Sequence, residues 1–139
     1  MTDLFAKNAA PAQLAAAGKT RPSLHSDTAI YRTVIDLAKC MTKASADMRR
    51  DAKPVLGRYL FDETVWMGVL VLRANKARDA AKLPHLDELL EQTELVTMAL
   101  RLGRETAFVT NNAYNEAAQL VVSVARQATA LRNIFAPAP

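Results

Sequence analysis

The chain changes character once, sharply, and that change constrains the topology around it. Arg73-Ala-Asn-Lys-Ala-Arg-Asp79 closes a long stretch with almost no polar face. Ala-Ala-Lys-Leu-Pro84 then leads into His85-Leu-Asp-Glu-Leu-Leu90, which opens with acids. Basic residues at one helix end and carboxylates at the next helix start both complement the helix dipole. Pro84 suits only the first turn of a helix, where its missing N–H costs nothing. One helix therefore ends and another begins within a short span, and a connection this short makes the two antiparallel neighbours.

The rest of the chain divides in the same way. Residues 1–25 contain the low-complexity run Ala9-Ala-Pro-Ala-Gln-Leu-Ala-Ala-Ala-Gly18 and read as a mobile arm. A first helix is expected from a cap at Ser26 or Asp27, with Ile30, Val34, Leu37, Ala38 and Met41 as its apolar stripe, fading near Met48 to Arg50. Pro54 suits the first turn of a second helix that runs to about Asn75. A third helix follows Pro84, with Leu86, Leu89, Leu90, Thr93, Val96 and Leu100 as one seam. Leu95, Met98 and Leu102 widen that seam, and Gly103 is the natural C-cap. A fourth helix begins at Thr110 or the asparagines after it. Its stripe includes Tyr114, Ala117, Val121, Val124, Ala128 and Leu131, extended by Ile134 and Phe135, and residues 136–139 form a tail. No alternating strand pattern is present. The expected fold is all-α, an up-down-up-down four-helix bundle over residues 26–135.

The second helix is the unusual one. Leu60, Met67 and Val71 cover one side, but Tyr59, Trp66 and Leu70 cover another, and Phe61, Val65, Val69 and Leu72 a third. A helix apolar all round is buried on several sides, and a small bundle cannot bury one of its own helices that fully. Tyr59, Phe61, Val65, Trp66, Val69 and Leu72 are therefore the expected contacts of a homo-oligomer. Gly57 and Gly68 share one side and would admit another helix closely there.

The chain carries 18 Lys and Arg against 14 Asp and Glu, a net charge of +4. The excess permits a polyanionic partner, and clustering says more than the sum. Arg49, Arg50, Lys53 and Arg58 gather at the first turn, and in a bundle Arg101 and Arg104 join them. Arg73, Lys76, Arg78 and Lys82 gather at the opposite end. Such clusters engage phosphates without reading sequence. Solvated surface charge is the plainer account, and it goes with a protein–protein scaffold or assembly module that binds no nucleic acid.

Other chemistry finds little support. Gly18-Lys19-Thr20 has Gln13 where a phosphate loop needs glycine. His85 and Glu88 lie one turn apart, but a di-iron bundle needs repeated Glu-x-x-His pairs. Lone Cys40 excludes an internal disulfide and reads as a small buried hydrophobe. Asp62 and Glu63 read as ion-pair partners of arginines on a neighbouring helix. No nucleophile triad, metal spacing or nucleotide loop appears, so no enzyme, metal or cofactor is expected. No signal peptide or membrane-spanning run is evident, so the expected compartment is the cytoplasm.

Ala74-Asn75-Lys76-Ala77-Arg78-Asp79, Leu95, the run Ala99-Leu-Arg-Leu102, Tyr114 and Arg126 fall in an order that carries a resemblance. Over roughly residues 28–132 the chain resembles the accessory variability determinant proteins of diversity-generating retroelements. It is also similar to the four-helix-bundle proteins encoded by intervening sequences of bacterial ribosomal RNA genes. The resemblance implies a four-helix protomer in a pentameric ring with a basic surface. It further implies an accessory protein that binds a reverse transcriptase together with RNA and DNA in mutagenic copying. The chain departs from the family's Gly-Gly-Trp-like ending, reading Ala130-Leu-Arg-Asn-Ile-Phe135 instead.

Overall fold

Thr28 begins the first helix. In the computed structural model, which describes residues 28–137, the Thr28 backbone is extended and its Oγ1 accepts from the Tyr31 N–H at 3.4 Å. That contact satisfies one of the donors every helix leaves unpaired at its start. α1 runs Ala29–Asp47. The cap is thus Thr28 and not Ser26 or Asp27. Those two, the N-terminal arm and the last two residues lie outside the described residues.

After a short turn, Lys53–Gly57 form one π-helical turn with Pro54 in its first positions. Leu56 N–H and Gly57 N–H both reach the Ala52 carbonyl, at 2.9 and 3.2 Å. The turn feeds directly into α2 (Arg58–Lys76). A 3-10 turn at Asp79–Lys82 leads to α3 (Leu83–Glu105), which has Pro84 in its first turn. α4 (Asn111–Phe135) is capped by Thr110, whose Oγ1 accepts from the Ala113 N–H at 3.1 Å. No strand occurs among the described residues.

The principal helix contacts are α1 with α2, α2 with α3, α3 with α4, and α4 back to α1. The helices therefore run round the bundle in chain order, alternately up and down, as short connections require. Each helix buries one stripe. Ile30, Val34, Leu37 and Met41 meet Leu60, Met67, Leu70 and Val71 of α2, Leu86, Leu89, Val96 and Leu100 of α3, and Ala117, Val121, Val124 and Ala128 of α4 in a single core.

Each of the four seams also carries a side-chain hydrogen bond between helices. Asn75 Nδ2 donates to Thr28 Oγ1 at 2.9 Å, Gln92 Nε2 to Glu63 Oε1 at 2.8 Å, and Gln127 Nε2 to Thr33 Oγ1 at 2.9 Å. Arg132 pairs with Asp87 across the fourth. These contacts add register to what apolar packing leaves loose.

Two sequence expectations need correction. α3 does not end at Gly103 but two residues later. Its C-terminus is a Schellman arrangement, with Phe108 N–H on the Gly103 carbonyl at 2.9 Å and Ala107 N–H on the Arg104 carbonyl at 3.0 Å. Ala107 takes the left-handed position (φ 64°) that glycine usually fills. Gly103 is needed for a different reason: a Cβ there would lie 2.6 Å from Val109 Cγ2. The side shared by Gly57 and Gly68 does admit another helix, and that helix is α1 of the same chain, since a Cβ at Gly57 would meet Ser45 and one at Gly68 would meet Val34. Second, Leu95, Met98, Leu102 and Ile134 are exposed instead of extending the buried stripes.

Candidate nucleic-acid interface

One end of the bundle brings together the α1–α2 turn, the end of α3 and the start of α4. Arg49 donates to Asp51 through Nε (3.3 Å) and Nη2 (3.0 Å), and its guanidinium sits over the Phe108 ring, 4.7 Å from the centroid. The hydrogen bond from Arg49 is the main reason the Asp51 carboxyl is held below its ordinary value. Arg58 pairs with Asp62 at 3.4 Å and Arg101 with Glu105 at 2.9 Å, each one helical turn apart. Arg104 sits over the Tyr114 ring, 4.1 Å from the centroid. Arg50 and Lys53 are exposed. Neither they nor Arg104 forms an ion pair with another described residue.

The opposite end, roughly 27 Å away along α2, holds the other four basic residues. Arg73 sits over the Trp66 ring, 5.0 Å from its centroid. Lys76 and Arg78 are exposed. Lys82 is half-buried and committed to the fold: its Nζ donates to the Ala74 carbonyl at 2.9 Å and lies 5.3 Å from the Phe135 ring centroid. It caps the last turn of α2, as a cation at a helix C-terminus should. Asn75 is committed as well, to the Thr28 cap. Asp79 takes a left-handed backbone (φ 52°), which a short polar side chain tolerates better than most. The joint at residues 73–90 is therefore partly architecture, and the charged residues it exposes are Arg73, Lys76 and Arg78 together with Asp79, Asp87 and Glu88.

The residues expected at a subunit contact lie away from the core face of α2. Tyr59 and Phe61 are exposed at 39% and 40%, while Val65, Trp66, Val69 and Leu72 are half-buried. Trp66 and Leu72 lean on the core from outside. The structure adds a second apolar seam that sequence reasoning assigned to the core: Leu95 (43% exposed), Met98 (64%) and Leu102 (59%) on α3. The signal was available, because Leu86, Leu89, Thr93, Val96 and Leu100 already make a complete helical stripe. Leu95 lies one turn beyond Gln92, which bonds Glu63 of α2. Tyr59 and Trp66 lie one turn to either side of Glu63. Tyr59 and Trp66 thus lie on the α2 side of the α2–α3 groove and Leu95 on its α3 side, while Phe61, Val65 and Leu72 fall on the opposite side of α2.

The remaining chemistry is sparse. Among the described residues, no three His, Cys, Asp or Glu side chains gather as a metal site would require. Asp62 pairs within its own helix and Glu63 accepts from Gln92, so neither meets an arginine of a neighbouring helix as expected. Cys40 is buried at the α1–α4 seam. Burial first, and the Glu116 charge second, push its thiol up, with Lys43 offsetting in part. That combination disfavours a nucleophilic thiolate. No helix among the described residues is long and apolar enough to cross a membrane.

Comparison with protein-family models, with curated proteins and with solved structures found no match.

Proposed function

We propose that this chain is a homo-oligomeric, non-enzymatic nucleic-acid-binding protein, an accessory factor of a diversity-generating retroelement. In that role it binds the reverse transcriptase and its template RNA or DNA and supports mutagenic copying. The observation that carries the nucleic-acid part is the cluster of Arg50, Lys53 and Arg104 at one end of the bundle, none with an acidic partner among the described residues. Unpaired cations on a surface that short carboxylates could have neutralised leave charge available to phosphates. A ring, as in the family the sequence resembles, would repeat the cluster around its axis.

Binding of labelled RNA, followed by fluorescence anisotropy at several salt concentrations, tests this. Arg50→Gln with Lys53→Gln should weaken binding at every sequence and lower the salt slope by about 1–2. Arg73→Gln, Lys76→Gln and Arg78→Gln together ask the same of the other end. Absence of wild-type binding at low salt would end the nucleic-acid reading.

A second reading, a protein–protein assembly module, is favoured by a separate observation. Tyr59, Leu95, Met98 and Leu102 are large, apolar and exposed on neighbouring helices, and clustered exposure of that kind marks contact surfaces. Oligomer formation with no nucleic-acid binding would select it.

A further inference from the structure

The end of the bundle that carries Arg49 and Arg104 does more than present charge, and the following rests on the nucleic-acid reading above. We infer that this end binds unpaired nucleotides, with Arg50 and Lys53 holding phosphates and the Arg104–Tyr114 and Arg49–Phe108 pairs stacking bases.

The argument starts from what each arginine has left to offer. Arg49 has already donated Nε and one terminal nitrogen to Asp51, and Phe108 lies beneath it. Two of its five N–H donors are thus engaged by Asp51, which fixes the plane, while the guanidinium side away from Phe108 is open because the residue is exposed. Arg104 is held over Tyr114 at 4.1 Å with no carboxylate in its plane. Phe108 and Tyr114 are themselves half-buried and packed against the core, so neither ring is free to swing away. Two planar cations are therefore supported from below by anchored rings, Arg49 exposed and Arg104 half-buried.

A face is useful only to a ligand with a face to give. In a duplex, each base is covered by its neighbours and only groove edges and phosphates are on offer. In a single strand, a loop or a bulge, bases can splay and stack on aromatic or guanidinium planes. Arg50 and Lys53 stand beside Arg49 in the chain and form no ion pair with a described residue. They supply the phosphate contacts without which stacking alone would be weak. The other end has one such pair, Arg73 over Trp66 at 5.0 Å, against two here, and its Lys82 is a point charge spent on the Ala74 carbonyl.

The test uses the full chain and three oligonucleotides: an unstructured single strand, the same sequence as a duplex, and the single strand with abasic positions. The inference expects the single strand to bind at least about fivefold tighter than the other two. Arg104→Lys keeps the charge and removes the plane. It should cost the single strand about fivefold or more while leaving the abasic strand and the salt slope unchanged. Tyr114→Leu should do the same, and circular dichroism confirms that each variant is folded. Equal binding of single strand and duplex, unaffected by Arg104→Lys, overturns the inference while nucleic-acid binding stands. Absence of binding to all three overturns both.

Discussion

Gly103 offers a sharp test of how the bundle is packed, because a single methyl group there meets two opposing effects. An ideal Cβ would lie 2.6 Å from Val109 Cγ2 and 2.9 Å from Leu56 Cδ2. Leu56 can rotate away. Val109 cannot easily do so: it is 3% exposed and its N–H is bonded to the Gly103 carbonyl at 3.0 Å. Overpacking of this kind costs about 1–3 kcal/mol, against about 0.5–1 kcal/mol gained when alanine replaces glycine inside a helix. Gly103→Ala should therefore lose about 1 kcal/mol. Gly68 is the control, since its nearest neighbour would be Val34 Cγ1 at 3.7 Å, an ordinary contact. Gly68→Ala should keep the whole gain of about 0.5–1 kcal/mol. In a domain of this size each change moves Tm by roughly 3–6 °C, in opposite directions. Urea unfolding followed by far-UV circular dichroism, at one fixed protein concentration because association would add its own stabilisation, measures both. A Gly103→Ala variant as stable as the wild type, or a Gly68→Ala variant less stable, would refute the packing argument.

Three further outcomes are expected. Leu95→Ser with Met98→Ser should lower the mass seen by light scattering if α3 shares the contact surface, while the unfolding curve of the separated protomer shifts by less than about 0.5 kcal/mol; an unchanged mass removes α3 from the interface. Asp51 should titrate below the ordinary aspartate value of 3.8 by NMR, because Arg49 stabilises its charged form. With the folded value depressed, the stabilisation is present above the unfolded value and is lost as pH falls through the folded one; Arg49→Gln should bring the titration back up, and no movement would remove Arg49 as the cause. Cys40 should react with Ellman's reagent roughly tenfold or more slowly in the folded chain than in urea, since burial raises its thiol; equal rates would show that the α1–α4 seam opens freely.

How much of this was legible in advance depends on the range over which each signal acts. Thr110 before its asparagines, Pro54 and Pro84 in first turns, and the stripe Ile30, Val34, Leu37, Met41 are local, and the structure bears them out. They depend on backbone donors and on a 3.6-residue period, both of which a single segment carries by itself. The two basic ends follow from the same logic once the connections are short. The candidate site was less legible. That Arg49 is engaged by Asp51 could have been guessed from their spacing, but its place over Phe108 could not, because 59 positions separate Arg49 from that ring.

Over the described residues, the sequence by itself determined an all-helical fold, the number and order of its helices, and the clustering of cations at the turns, since each follows from neighbours within a turn or two. Tertiary structure alone decided what each of those residues is for. Gly103 reads as a helix end, yet it is the point where Val109 and Leu56 crowd α3. Lys82 reads as part of a basic patch, yet its ammonium closes the end of α2 on Ala74. Leu95, Met98 and Leu102 read as core and lie outside it. The physical reason is common to all three. Periodicity shows which side chains share a face, but only packing shows what that face meets.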